Sequence, residues 1–387
     1  MNTFHCTVCQ ALLFFENVTC LNCGHRLAYL PNAGSMAALE QDEDTGLWYP
    51  SPRQTPSRAY RLCANYTNYQ VCNWAVAAAE DNVLCRSCRL TRTIPDVSVP
   101  AAHTAWYRLE AAKRRVVYTL QHLALPLEPK SESPDGLAFE FLQDTLTPTG
   151  DQTRVLTGHD NGVITINTAE ADDLHREQQR HEHNEPYRTL LGHFRHETGH
   201  YYWDRLLRDG PLLDDFRALF GDERQDYAES LQRHYQQGPP AQWEQNFVSA
   251  YATAHPWEDW AESWAHYLHM TDALETAASM GLSLRPIRRD EPRMRPPVDP
   301  LRPGRPEFDQ MTESWLPLTY VLNNLSRGLG QPDNYPFVLS PLVIDKLRFV
   351  HNTIIGARPE IARADSLALP EPAVAERPTA GRDAPTP

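Results

Sequence analysis

No stretch of this 387-residue chain approaches the about 18 consecutive apolar residues of a membrane-spanning helix, so no such span is expected. The N-terminus has no basic region followed by an apolar run and a small-residue cleavage site, and without that secretory pattern a cytoplasmic protein is expected. Basic residues are outnumbered: 36 Lys and Arg stand against 50 Asp and Glu, a formal charge of −14. Nucleic-acid backbones and anionic membranes both need a positive face, so neither is an expected partner. Cysteine is absent after Cys88. What remains is a globular composition, 41% hydrophobic and 10% aromatic, in a chain long enough for two or three domains.

The eight cysteines fall into two sets of four. Cys6, Cys9, Cys20 and Cys23 form two CxxC pairs at short separation, and Cys63, Cys72, Cys85 and Cys88 end in a third CxxC. Two thiolates three positions apart can share one tetrahedral zinc, and four close its coordination sphere, so each set is read as a structural zinc site. That also suits a reducing compartment, where thiols persist. So short a segment has little core of its own, and metal binding there is expected to be coupled to folding. The module could also bind a protein partner, which the sequence does not name.

The most informative stretch is His196-Glu197-Thr198-Gly199-His200. On a helix, residues four apart share one face, so His196 and His200 can both present a ring nitrogen to one Zn²⁺. Glu197 then falls beside the metal, where it can take a proton from activated water and pass it to a leaving amine. Pro186 suits the first turn of this helix. Gly199 would let another backbone approach closely near the metal, although a helix-interior glycine costs about 1 kcal/mol. His193 lies too far along the axis from His200 to share one ion easily, and a supporting or packing role is expected.

Elsewhere, residues 31–60 read as a turn-rich connection and 91–100 as an extended, proline-punctuated link. Residues 106–123 have helical periodicity, and the Lys113-Arg114-Arg115 run is expected on its solvated face. Residues 137–142, 154–156 and 162–167 suggest short strands of a small sheet. If 162–167 is an edge strand it could pair with an extended peptide; otherwise it is an ordinary inner strand. A helix over about 170–181 follows, then helical pieces over 211–269, a long loop over 284–307, and helices over about 308–329 and 340–356. The tail from Arg358 has no periodicity and is expected to be disordered. The fold class is α+β, mostly helical with a small sheet.

A catalytic zinc needs a third protein ligand and an open fourth position. No histidine stands in 201–208, so the third ligand must come from farther along. The candidates are Glu258, Glu262, His255 and His266; a second carboxylate could fix the tautomer of a ligand histidine. Alternatively, Glu262 and His266 form a surface pair one helical turn apart, with Trp257, Trp260 and Trp264 as core aromatics.

His196-Glu197-x-Gly199-His200 followed by Glu258-x-x-Ala261-Glu262-x-Trp264 resembles the gluzincin metallopeptidases, particularly the lethal-factor-like branch. That resemblance implies Glu258 as third ligand, Glu262 as its support, and Tyr251, seven positions before Glu258, as oxyanion stabiliser; on the residues alone Tyr251 could equally be a packed phenol. Up to about residue 285 the chain is also similar to a bacterial family that joins a zinc ribbon to a zinc-binding metallopeptidase. The matching stretches include Cys72-Asn73-Trp74, Cys85-Arg86-Ser87-Cys88, 158–167, Glu170-Ala171-Asp172-Asp173, 187–197 and His255-Pro256-Trp257-Glu258. The resemblance implies a ribbon module over 1–92, a zincin-like peptidase domain over 93–357, and one catalytic and two structural Zn²⁺. It further implies a peptide or protein substrate. The competing reading is an adaptor whose peptidase-like domain only binds protein or nucleic acid; intact His196, Glu197 and His200 weigh against it.

Overall fold

A computed structural model describes residues 2–53, 55–146, 152–182, 189–302, 304 and 306–357. Two short strands, β1 (Phe4–His5) and β2 (Leu12–Leu13), pair antiparallel within the first cysteine set. An antiparallel sheet of five strands follows: β3 (Arg26–Leu30), β4 (Ser35–Gln41), β5 (Trp48–Pro50), β6 (Tyr60–Leu62) and, after the short helix α1 (Ala64–Thr67), β7 (Ala75–Ala77). The connection expected over 31–60 therefore carries most of this sheet. Local turn residues are present, but tertiary pairing decides: Leu27, Ala28, Ala38 and Leu39, on the paired strands β3 and β4, are all buried, so both faces of the sheet are covered here.

That helix, α2 (Pro100–His122), starts six residues before the expected position, with Pro100 in its first turn. It is the spine of the molecule. On one side Tyr118 packs edge-on against Phe4, Phe15 and Tyr29 of the cysteine-rich module. On the other, the Tyr118 hydroxyl donates to Glu275 and Thr119 donates to Asp272 at 2.6 Å. The solvated face expected for Lys113 and Arg114 is overturned: both are buried, Lys113 against Glu110 (2.9 Å) and Arg114 against the carbonyl of Val71. Glu110, one helical turn away, and the more distant Thr91 and Val71 make such burial possible, because an unpaired buried charge is expensive.

A second sheet has the order β12-β13-β9-β8, from β8 (Thr91–Thr93), β9 (Ala138–Leu142), β12 (Gly158–Asp160) and β13 (Val163–Asn167). The expected link at 91–100 thus begins as a strand. Residues 154–156 form no strand, and the neighbouring ladder joins β10 (Thr145–Leu146) to β11 (Gln152–Thr153). Val163–Asn167 runs parallel to β9 and is an inner strand; the edge is Gly158–Asp160, antiparallel to it. Alternation sends Phe139, Phe141, Ile164 and Ile166 to one buried face, where Phe194 of the next long helix meets both phenylalanines.

After α3 (Asp173–Glu182), α4 (Leu190–Leu206) carries the paired histidines, and it starts at Leu190; Pro186 lies outside the described residues. Next come α5 (Leu213–Phe220), α6 (Tyr227–Gln237), α7 (Pro256–Ser279), α8 (Phe308–Gly328) and α9 (Pro341–Gly356). The last two match the sequence reading to within a residue; the loop expected over 284–307 lies between α7 and α8, begins four residues earlier than expected, and carries a bridge between Leu284 and Met294. The tail expected from Arg358 also lies outside the described residues. No helix among the described residues is long and apolar enough to cross a membrane. The architecture is mixed α+β: a cysteine-rich β module, then a mostly helical region with a small sheet.

Helices α4 and α7 cross tightly at Gly199. A Cβ there would stand 2.9 Å from Cα of Ala261 and 3.2 Å from Cβ of Trp264, and Trp260 Nε1 donates to the Gly199 carbonyl at 2.9 Å. Trp260 and Trp264 are fully buried, and Tyr202 stacks on Trp264 with centroids 4.9 Å apart. Removing roughly 150–250 Å² per large ring from water stabilises this crossing by about 4–6 kcal/mol each. Gly199→Ala should therefore destabilise the protein by about 1–3 kcal/mol in denaturant unfolding, although alanine is the better helix former. Unchanged or raised stability would mean that the two helices do not approach this closely.

Candidate metal centre

Thr189 caps α4: its hydroxyl accepts the N–H of Gly192 at 3.0 Å, and the helix then runs unbroken through 196–200. His196 and His200 project one turn apart with ring centroids separated by 4.9 Å. Opposite them, His255 caps α7 by accepting the N–H of Trp257 at 3.1 Å, while its other nitrogen donates to the carbonyl of Gln225 at 3.2 Å. With Pro256 in the first turn, Glu258 sits where the helix dipole favours a negative charge.

The two helices bring His196, His200 and Glu258 together, with their ligating atoms all within 4.8 Å of one another. His200 Nε2 faces His196 Nε2 at 3.2 Å, His196 Nε2 lies 3.0 Å from Glu258 Oε2, and His200 Nε2 lies 3.5 Å from Glu258 Oε1. His196 Nδ1 donates to Glu262 Oε1 at 2.7 Å, which leaves its Nε2 as a lone pair. Glu262 is itself held by the Ser249 hydroxyl at 2.6 Å. The facing Nε2 atoms and the Glu258 carboxylate are acceptors brought together, and among the described residues Glu258 Oε2 and the neighbouring Glu197 Oε2 are buried with no hydrogen-bond donor.

A cation satisfies such a set. Ligand atoms about 2.0–2.1 Å from a tetrahedral zinc stand about 3.3 Å apart, which agrees with the 3.0, 3.2 and 3.5 Å separations found. The same test serves the cysteines, since thiolates about 2.3 Å from zinc stand about 3.8 Å apart and a disulfide needs about 2.05 Å. Cys6 and Cys23 are 3.6 Å apart, Cys9 and Cys20 3.6 Å, and Cys72 and Cys85 3.7 Å. Two tetracysteine clusters and one His-His-Glu group are thus consistent with zinc. The second cluster is wholly buried, and the sulfur of Cys63 accepts the N–H of Cys85 at 3.3 Å.

Burial opposes charge on Glu258, but His200 and His196 outweigh it and hold the carboxyl well below its usual range. Burial likewise opposes a charged His196, yet with no cation bound Glu258 and Glu262 raise its pKa well above the ordinary value, so a metal ion binds Nε2 by displacing a proton. Tyr251 lies beside this group, its ring 5.9 Å from that of His196; burial, then Glu258 and Tyr227, push its pKa well up, so the phenol stays a donor. Glu197 is also among the charges acting on both Tyr251 and Tyr227.

The remaining sequence candidates separate cleanly. His255 is spent on capping, and His266 is buried with Nδ1 on the Tyr335 hydroxyl at 2.8 Å, its pKa lowered by burial to about 4. Glu262 and His266 are therefore not a surface pair. His193 turns away toward Glu170, 3.2 Å from its carboxylate. Trp260 and Trp264 are core residues, whereas Trp257 is half-buried with its ring 4.7 Å from His200. Three neighbours were not foreseen. Ser249 supports Glu262, His159 on the edge strand lies nearly parallel to His200 with centroids 6.4 Å apart, and Tyr227 donates to Glu258 Oε1 at 2.6 Å. None has a spacing signal; the only sequence hint is the Asp226 cap that opens α6 at Tyr227.

Residues 102–353 match a family described as "Putative zinc-binding metallo-peptidase", and residues 3–99 match a zinc-ribbon domain family. Uncharacterised proteins of Mycobacterium bovis and Mycobacterium tuberculosis are each 43% identical over 368 residues, which is 95% of this chain and 99% of theirs. No solved structure matches the chain.

Zinc analysis of purified protein should give about three ions per chain. Glu258→Ala should reduce this to about two, whereas Glu262→Ala should weaken the third ion about 10–100-fold without removing its site at saturating zinc. The reverse pattern would make Glu262 the ligand.

Proposed function

The chain belongs to the zinc-binding metallo-peptidase family, with a zinc-ribbon domain ahead of the peptidase region, and from that premise we propose that it hydrolyses peptide bonds. In this reading residues 1–92 form the ribbon module with two structural zincs and 93–357 the peptidase domain. His196, His200 and Glu258 hold the catalytic zinc. The observation that carries the reading is the buried, unpartnered carboxylate oxygen of Glu197 beside two imidazoles and a carboxylate whose ligating atoms converge.

Zinc bound by these three side chains would supply Lewis acidity, polarising the scissile carbonyl and lowering the pKa of water. Glu197 takes the water's proton as general base and returns it to the leaving amine as general acid. Its free Oε2 gives that proton a place to rest. Glu262 keeps the proton of His196 on Nδ1, so Nε2 stays available as a ligand. Tyr251, held protonated, donates to the oxygen that becomes negative as the carbonyl carbon turns tetrahedral. The free edge of Gly158–Asp160, which has β13 on one side only, offers N–H and C=O groups to an extended peptide.

A role for the first ribbon in binding a protein is a second reading: Leu21, inside the second CxxC, is 97% exposed, and Phe14, between the two CxxC pairs, is 71% exposed. That role is compatible with hydrolysis.

Glu197→Gln should retain wild-type zinc content while cleavage of an unbiased peptide library falls by about 10²–10⁴. Retained cleavage by that variant removes Glu197 from the chemistry. Equal inertness of wild type and variant favours the adaptor reading.

A further inference from the structure

We infer that Tyr227 is a positioning residue that restricts Glu258 to one metal-binding oxygen and so keeps a coordination position open for reaction. This rests on the reading of His196, His200 and Glu258 as a catalytic zinc site. A carboxylate can ligate through one oxygen or two. With two histidines and a water bound, a Glu258 that used both oxygens would make the site five-coordinate at rest and take the position into which a catalytic zinc expands during the reaction.

The two oxygens of Glu258 have different surroundings. Oε2 lies 3.0 Å from His196 Nε2, is buried, and accepts no hydrogen bond among the described residues. Oε1 is 3.5 Å from His200 Nε2, close enough to serve as a ligand too, but it accepts the Tyr227 hydroxyl at 2.6 Å. That short bond to a carboxylate is of the strong, charge-assisted kind. Oε1 is thereby committed and Oε2 left for the metal.

The position of Tyr227 favours this role over simple packing. It is the first residue of α6, a helix in which only Ser230 is buried, and its own ring is 38% exposed. A side chain placed there for core packing would be covered. Instead its ring leans on His255 and Trp257, three positions and one position before Glu258, with centroids at 5.3 and 6.0 Å, and so aims the hydroxyl at the carboxylate. The rest of α6 meets the site at His234, whose Nδ1 contacts the Thr253 hydroxyl at 3.2 Å.

The test is Tyr227→Phe, which removes only the hydroxyl. In protein with zinc left in both tetracysteine clusters and cobalt(II) exchanged into the His-His-Glu site, four-coordinate cobalt absorbs visible light several-fold more strongly than five-coordinate cobalt. Loss of the Oε1 hydrogen bond should let both oxygens bind alongside water, so the variant should absorb several-fold less, with unchanged thermal unfolding and undiminished retention of the ion against a chelator. Peptide hydrolysis should fall about 10–100-fold, in kcat rather than KM. Identical cobalt spectra in wild type and variant, with the ion bound in both, would overturn the role of Tyr227 alone. A wild-type chain that takes up only two metal ions would overturn the metal site, and this inference with it.

Discussion

The approach of α4 to α7 at Gly199 and Ala261 sets the dimensions of everything at the metal centre. Metal ligation tolerates errors of a few tenths of an ångström, whereas side chains on two helices can be separated by far more. Without a Cβ at Gly199 the backbones close until Ala261 is in contact. One turn to either side, that spacing places His196 against Glu258 and Glu262 together. Glu258 and Glu262, four apart on α7, then divide the labour on one face of a helix: one meets the lone pairs, the other meets the N–H.

The cysteine-rich module is joined to this crossing through α2. Tyr118 belongs to the aromatic cluster of Phe4, Phe15 and Tyr29 and also reaches Glu275 on α7; Thr119 and Arg195 converge on Asp272 of the same helix. Arg114, buried and bonded to the carbonyl next to Cys72, lies in the field of Cys72, Cys85 and Cys88. A tetrathiolate zinc carries net negative charge, and a guanidinium beneath it offsets that charge where water cannot. The second cluster is thus a structural joint between module and helix, while the first, with Cys9 and Cys23 partly open, faces outward.

The parts of the fold legible in the sequence are those fixed by local periodicity or ligand spacing. The paired histidines, both cysteine sets, the Glu258 and Glu262 face, and helices near 308–329 and 340–356 all follow from residues a few positions apart. Even Gly199 announced a close approach. What could not be read depends on distant partners. Lys113 and Arg114 look like a solvated run until the distant Thr91 and Val71 join Glu110 in enclosing them. Gly158–Asp160 has poor strand propensity and becomes an edge only because β13 lies beside it. Tyr227 is one tyrosine among 16 until folding sets its hydroxyl on Glu258.

The most direct test of the whole arrangement is anomalous diffraction at the zinc edge from crystals of the zinc-loaded protein. The account predicts a peak within bonding distance of His196 Nε2, His200 Nε2 and Glu258 Oε2, beside one in each tetracysteine cluster. Peaks in the two thiolate clusters with none between α4 and α7, or a third peak bonded to Glu262 in place of Glu258, would contradict it.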